Sequence, residues 1–308
     1  MVTIFGAGFG LYGYLPAIIE GINEQVCLPR KYLKAIRGRA DLSYLEGKIF
    51  WVKDEIEAIQ CANKVVVAVN PVRQFDIIRR CLSIGFTGHF FLEKPIAQTP
   101  QESERLLSLL DSHEVTYSVG YSFLYVDALL QAVSDNQGKG PIHVSWQFMA
   151  HHFAHNVDNW KRRELQGGGV LRFYGIHIIA LLVKAGYSCV ENTCLQGADS
   201  QEPWQWDAQF SHIGLPNCLV SINSRSQSQE FSVKVTDGSK CLIASDPFDA
   251  AVDTSINHDR RFATLVRFLS DLDDFQNKKS LYRKINKMWL DIETKTNFSK
   301  LVIKESIS

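Results

Sequence analysis

Three short segments of this 308-residue chain carry the side chains that can do chemistry: Gly6-Ala7-Gly8-Phe9-Gly10, Glu93-Lys94-Pro95, and the stretch from Gly167-Gly168-Gly169 to His177. Lys94 follows the apolar run Phe90-Phe91-Leu92, which reads as a buried parallel strand stopped by Pro95. The carboxyl ends of such strands face the crevice in which open α/β sheets hold their ligands, so an ammonium group there is aimed at a ligand. His177 brings a ring that exchanges a proton near neutral pH. The glycine turn lies between an apolar strand, Met1 to Phe5, and a helical pattern over Leu11 to Ile19. That is the order a dinucleotide site requires. Gly6 allows the tight turn, Gly8 lets backbone approach a pyrophosphate, and the helix amino terminus offers free N–H groups to the anion. The spacing departs from the usual fingerprint, because the third glycine is Gly10 and Leu11 stands where it is normally found.

Other candidates follow from position. The second strand is expected over Glu24 to Leu28, and Pro29-Arg30-Lys31 stands at its end where an NAD-specific site places an acid. A carboxylate repels a 2′-phosphate, whereas Arg30 can bind one through two hydrogen bonds, so NADP is preferred over NAD. His151, His152 and His155 are close together, but no acid or cysteine completes a ligand set at motif spacing, so no metal is expected. Trp160, Lys161 and Arg162 suit a sugar or an anionic substituent such as a diphosphate, and equally a solvated charged surface.

The elements that must position these groups read clearly in the first half. Lys64-Val65-Val66-Val67-Ala68-Val69 is a strand buried on both faces, closed by Asn70-Pro71. Phe75, Ile78, Cys81 and Leu82 recur at helical spacing, as do Leu106, Leu107 and Leu110 after Pro100, and Val115 to Gly120 is a further strand. Alternating strands and helices imply a doubly wound parallel sheet. From Pro141 the pattern changes to longer alternating strands: through Ile142 to Phe148, then Gln205 to Phe210, Cys218 to Ser224, Phe231 to Thr236 and Lys240 to Ala244. Leu215-Pro216-Asn217 and Asp237-Gly238-Ser239 are turn signals, and helices are expected over Phe262 to Leu272 and Leu281 to Leu290, with a short strand in Lys300 to Ser308. Apolar residues alternating on the face of this sheet away from substrate imply a dimer or tetramer.

Lysine plus arginine equals aspartate plus glutamate, 33 each, which argues against a nucleic-acid binder. No apolar run reaches the roughly 18 residues of a membrane helix. The scattered cysteines and the absence of a leader before the strand at Val2 suit reduced thiols in the cytoplasm.

Gly6 to Ala17, Glu93-Lys94-Pro95 and Gly167 to His177, in that order, resemble the Gfo/Idh/MocA family of NAD(P)-dependent oxidoreductases, whose most recognisable motif is Glu-Lys-Pro. The resemblance covers most of the chain. It implies a Rossmann-type domain over 1–120 that binds the cofactor through Gly6, Gly8, Phe9, Gly10, Asn70, Pro71, Glu93 and Lys94, with Arg30 at the adenosine ribose. It further implies a second domain over 121–308, an open and mostly antiparallel sheet that binds substrate and forms a homodimer or homotetramer, whose last helices pack back on the first domain. Lys94 and His177 are the implied catalytic pair, and Trp160, Lys161, Tyr174 and His177 the implied substrate contacts. Two positions depart from the family. Leu124 stands where an arginine is usual, and Phe173 stands where the family has an aspartate four residues before the histidine. The implied reaction is hydride transfer to or from a small polar carbonyl or alcohol, a sugar or sugar derivative. Two other readings are a family member with altered chemistry serving as a nucleotide-binding sensor or partner subunit, and an imine reductase.

Overall fold

The computed structural model describes residues 1–135, 140–235, 240–249 and 259–301. The chain forms two compact units: Met1–Ala97 with Glu102–Tyr125 and Ala251–Ser280, and Gln98–Gln101 with Val126–Ala250 and Leu281–Ser308.

The first unit is built on six parallel strands: β1 (Val2–Phe5), β2 (Val26–Pro29), β3 (Ile49–Val52), β4 (Lys64–Val67), β5 (His89–Leu92) and β6 (Thr116–Val119), in the order β3-β2-β1-β4-β5-β6. The order reverses between β1 and β4, which opens a crevice at their carboxyl ends. Every residue of β1 is buried, because helices cover both faces. The core joins Ile4, Leu11, Leu15, Ile18, Val66 and Phe91 to Leu265, Phe268 and Leu269 of the helix Phe262–Ser270. That helix sits against the glycine-turn helix so closely that a Cβ on Gly21 would collide with Val266. β3, Ile-Phe-Trp-Val in the sequence, carries Phe50 exposed and Val52 buried, and had no counterpart in the expectations.

The second unit holds a seven-stranded sheet: β7 (Ile142–Met149), β8 (Cys189–Gly197), β9 (Pro203–His212), β10 (Leu215–Asn223), β11 (Arg225–Val235), β12 (Lys240–Ala244) and β13 (Asn297–Lys300), ordered β12-β11-β7-β10-β9-β8-β13. Most pairs are antiparallel, while β7 with β10 and β8 with β13 are parallel. One local expectation is corrected. The chain turns at Ile213-Gly214, where Gly214 has φ +86°, and Leu215-Pro216-Asn217 already belongs to β10, with a register shift before Cys218. The last described strand is Asn297–Lys300, and the strand expected over Lys300 to Ser308 lies, past Leu301, outside the described residues. β8 was not expected, since Cys-Val-Glu-Asn-Thr-Cys-Leu-Gln-Gly has few β-branched residues. The turn read at Asp237-Gly238-Ser239 lies outside the described residues.

The alternation along these strands also resolves differently from expectation. Its apolar set, including Val144, Trp146, Trp206, Phe210 and Ile222, is buried inside the unit. The opposite face is polar. His143, Ser145, Asp207, Gln209, Ser221 and Lys234 line a broad concavity of about 1320 Å³ there. Among the described residues, no helix is long and apolar enough to cross a membrane.

Candidate functional site

In the first unit, β1 runs into the glycine turn. Gly6 has φ +132°, and a Cβ on it would collide with the Ala68 carbonyl, so only glycine fits. Its N–H donates to the Tyr32 hydroxyl at 3.1 Å. A Cβ on Gly8 would meet no atom within 4 Å, so the backbone there faces open space. A Cβ on Gly10 would lie 2.9 Å from Ile4 Cγ2, so Gly10 gives the close helix–strand packing that the third glycine of the usual fingerprint provides. The irregular spacing is matched by an irregular helix. Gly10–Tyr14 and Ala17–Gly21 are wound as π turns, with the Leu15 N–H bonded to the Gly10 carbonyl.

Beside Gly6 and Ala7 lies a cleft of about 260 Å³ lined also by Lys31, Tyr32, Glu55 and Arg73. These residues stand at the carboxyl ends of β1 to β4, at the switch point, and they suit the adenosine half of a dinucleotide. Arg30 is exposed just before Lys31 and is not part of that lining. Glu55 forms ion pairs with Lys31 and Arg80. Burial raises the Glu55 carboxyl, but the two cations outweigh it and hold the group below the usual carboxylate range.

Glu93-Lys94-Pro95 follows β5 directly. The fully buried Gln74 braces this turn, which sequence reasoning missed. Its Nε2 donates to the Glu93 carbonyl at 2.9 Å and the Ile96 carbonyl at 2.8 Å, and its Oε1 accepts the Glu93 N–H at 3.1 Å. Tyr14, on the glycine-turn helix, donates to Glu93 Oε1 at 2.6 Å. Burial raises the Glu93 carboxyl, opposed by the adjacent Lys94 charge. Lys94 is 9% exposed and its bond to Pro95 is cis. Asn70 caps the helix Pro71–Ser83, its Oδ1 accepting the Arg73 N–H at 2.9 Å. Phe9 packs edge-on against Tyr14 at 5.2 Å, and the Arg261 guanidinium lies 4.0 Å from the centre of its ring. Arg261 is far from Phe9 in sequence, and no local signal marks it. Thus Gly6, Gly8, Phe9, Gly10, Asn70, Pro71, Glu93 and Lys94 all belong to one unit around one switch point.

In the second unit, Gly167 and Gly169 have φ +82° and +75°, and a Cβ on Gly168 would collide with the Trp160 carbonyl. The chain then winds as a π turn over Val170–Gly175 and an α-helix over Ile176–Lys184. His177 is 5% exposed on the first turn of that α-helix. Phe173 and Tyr174 lie with ring centres 4.8 Å apart. Trp160 meets Phe173 at 5.3 Å, and the Lys161 ammonium sits 5.2 Å over the same ring. Tyr174 also packs on Trp146 and Phe148, and burial pushes its hydroxyl pKa up. The predicted substrate residues Trp160, Lys161 and Tyr174 are therefore gathered around Phe173, the position where the family has its aspartate.

A buried ion cluster anchors this segment. Arg172 Nε lies 2.9 Å from Glu164 and 2.7 Å from Glu293, and Trp289 Nε1 donates to Glu293 at 2.6 Å. Burial pushes the Glu164 carboxyl up to about 7 even though Arg172 opposes the shift. His151 and His155 stack at 4.4 Å, and no group of three potential metal ligands occurs among the described residues.

The family model described as an oxidoreductase family with an NAD-binding Rossmann fold, Gfo/Idh/MocA, matches residues 44–121. An uncharacterized oxidoreductase, sll0816 of Synechocystis sp., is 25% identical over 186 residues, which are 57% of this chain and 48% of that protein. The chain thus spans about half the length of the curated relative it matches. Among solved structures, KijD10, a 3-ketoreductase from Actinomadura kijaniata in complex with NADP and TDP-benzene, superposes with a TM-score of 0.68 at 13% identity, covering 98% of this chain and 99% of that one. The WlbA dehydrogenase from Chromobacterium violaceum, in complex with NADH and UDP-GlcNAcA, gives 0.68 at 12% identity, covering 95% and 93%. At such identities these likenesses establish the fold.

Proposed function

We propose that this chain, whose residues 44–121 match the Gfo/Idh/MocA family model, is an oxidoreductase of that family that binds NADP(H), or NAD(H) less tightly, and moves a hydride to or from a carbonyl or alcohol carbon of a sugar derivative. The observation that carries the reading is Lys94. It is a buried lysine at the carboxyl end of a switch-point strand, and its neighbour Glu93 is tied by Tyr14 to the glycine-turn helix. The nicotinamide, when bound, supplies or accepts the hydride. Lys94 holds the reacting oxygen as negative charge builds on it, which in a fixed, dry site is worth more in the transition state than before it. His177 gives or takes the proton of that oxygen. Phe173 cannot orient His177 as a carboxylate would. Residues 1–120 carry the cofactor and 121–308 the substrate in this reading, with Arg30, Lys31 and Arg73 favouring a 2′-phosphate. Relatives in fold bind nucleotide-linked ligands, which supports a nucleotide-linked sugar near Trp160, Lys161 and Tyr174. A homodimer or homotetramer is proposed with the broad polar sheet face as its contact surface, and light scattering at micromolar concentration tests it.

The aromatic packing of Phe173, with no carboxylate in its place, favours a second reading: a nucleotide-binding sensor or partner subunit without turnover. A panel of sugars, ketones and imines screened for NADPH consumption separates the two. On a substrate so found, Lys94→Ala should lower turnover by roughly 10²–10³ and His177→Ala by roughly 10²–10⁴, while nucleotide affinity changes little. Turnover within about threefold of wild type in Lys94→Ala overturns the catalytic assignment.

A further inference from the structure

We infer that the end of the seven-stranded sheet around Phe153 is a preformed anion site, with Arg225 as its principal ligand, which takes the phosphates of a diphosphate-bearing substrate. The inference deepens the oxidoreductase reading above and rests on it for the word substrate. The site itself rests on geometry.

Arg225 opens β11 at a pinned corner. The Ser224 N–H and hydroxyl both reach the Trp204 carbonyl, at 2.8 and 3.1 Å, and Asn223 Oδ1 accepts the Arg225 N–H at 2.9 Å. The guanidinium lies 5.0 Å from the centre of the Trp204 ring and 5.6 Å from that of Phe153. Arg162 lies 5.1 Å from the centre of the same Phe153 ring. Two guanidinium groups therefore share one aromatic side chain. Cation–π contact engages their faces; Arg162 gives its N–H edge to Asn156 and Glu202, and that of Arg225 is left for a ligand.

The charge balance separates Arg225 from its neighbours. Arg162 is paired with Glu202 at 2.8 Å, and Arg163 with Glu202 at 2.7 Å and Asp158 at 2.9 Å. Among the described residues no carboxylate pairs with Arg225, which is exposed. Lys161 adds a further cation over Phe173. His152 contributes no charge, because burial first, and then Lys161 and Arg162, hold its pKa down at about 4.

A long cationic side chain in water loses rotamer entropy when it binds. Arg225 has part of that loss met in advance, because two rings hold it. A planar fork with no acid in it matches the oxygens of a phosphate. A second guanidinium beside the same ring, shared with Glu202, adds positive potential next to that fork.

The test titrates wild type, Arg225→Gln and Arg225→Lys with UDP, inorganic pyrophosphate and uridine by calorimetry, and with NADPH separately. UDP and pyrophosphate should bind wild type, more weakly as salt rises, and uridine should not bind measurably. Arg225→Gln should weaken UDP by about tenfold or more, the size of one lost charge-assisted hydrogen bond. Arg225→Lys should fall between the two. The thermal midpoint and NADPH affinity should hold in both variants. Equal UDP binding by all three proteins, no diphosphate binding at millimolar concentration, or uridine binding as tightly as UDP overturns the site. Loss of NADPH binding in wild type, with Arg225-dependent UDP binding intact, would instead remove the oxidoreductase reading and leave the anion site standing.

Discussion

The two glycine-rich segments look alike on paper and do opposite things in space. Gly6 to Gly10 and Gly167 to Gly169 each precede a π-wound turn, Gly10–Tyr14 in one case and Val170–Gly175 in the other. In the first, the missing side chain at Gly8 leaves a void that reaches beyond 4 Å. In the second, the protein fills the space itself. The Trp160 carbonyl presses on Gly168, and the Glu164 carboxylate occupies the place a Gly169 side chain would take. One segment leaves open space beside its backbone. The other makes room for the chain's own backbone and its buried Glu164–Arg172–Glu293 cluster, which then fixes the turn bearing Phe173 and Tyr174. A glycine run therefore reports a close approach without saying what approaches.

Substitutions that add one side chain at each segment separate these cases. Gly168→Ala drives a methyl group into the Trp160 carbonyl and should cost about 3 kcal/mol. The thermal midpoint should fall by about 6–12 °C for a unit of this size, whether or not nucleotide is present. A midpoint unchanged within 2 °C would mean the second segment yields as freely as the first. Gly8→Val should do the reverse. Its midpoint should hold while NADPH affinity drops by about tenfold or more, because a branched side chain now occupies the pyrophosphate approach. Normal affinity in Gly8→Val would remove the distinction from the other side.

Glu164 sharpens the comparison through pH. Its folded carboxyl titrates at about 7 against an ordinary value of 4.5. Between those values the folded state binds more protons than the unfolded state, so this group's contribution to stability is full below about pH 4.5 and is lost as pH rises through 7. Glu164→Gln should flatten that part of the stability profile, read as thermal midpoint from pH 4.5 to 8. An unchanged slope would show that the carboxyl does not titrate in that range. The smallest effect is expected at the cofactor cleft. Arg30→Asp should turn preference from NADPH towards NADH, and Lys31→Asp should do so more strongly, since Lys31 lines the cleft and Arg30 does not. Calorimetry with both nucleotides ranks the two, and a larger effect at Arg30 would return the ribose contact to that residue.

What could be read in the sequence was what depends on local order. The runs at Phe90-Phe91-Leu92 and Val65-Val66-Val67 are strands because β-branched and aromatic side chains covered on both faces leave no polar position. Their carboxyl ends locate Glu93, Lys94 and Asn70 without further information. β3 and β8 were illegible because each mixes exposed with buried positions and β8 has few β-branched residues. The face of the second sheet was misjudged because alternation shows that two faces differ, and does not show that the apolar one is already covered. Gln74 and Arg261 were invisible for a different reason. Gln74 reads as one more polar residue in a helix, yet it braces the Glu93 turn. Arg261 lies on Phe9 across more than 250 residues of chain. Neither pairing has a local cause.

The outermost strand of the seven-stranded sheet has one more consequence. β13 has four residues, all exposed, and covers the far side of β8 by parallel pairing from Cys194 to Gly197, with Lys300 at its end. An uncovered nine-residue β8 would offer its unpaired N–H and C=O groups to any extended chain that met it. A short strand ending in lysine is a poor template for further growth, so β13 works as a cover against intermolecular strand addition. Truncation before Asn297 should then leave the core of each unit intact while converting a protein that stays dispersed on concentration into one that forms β-rich aggregates.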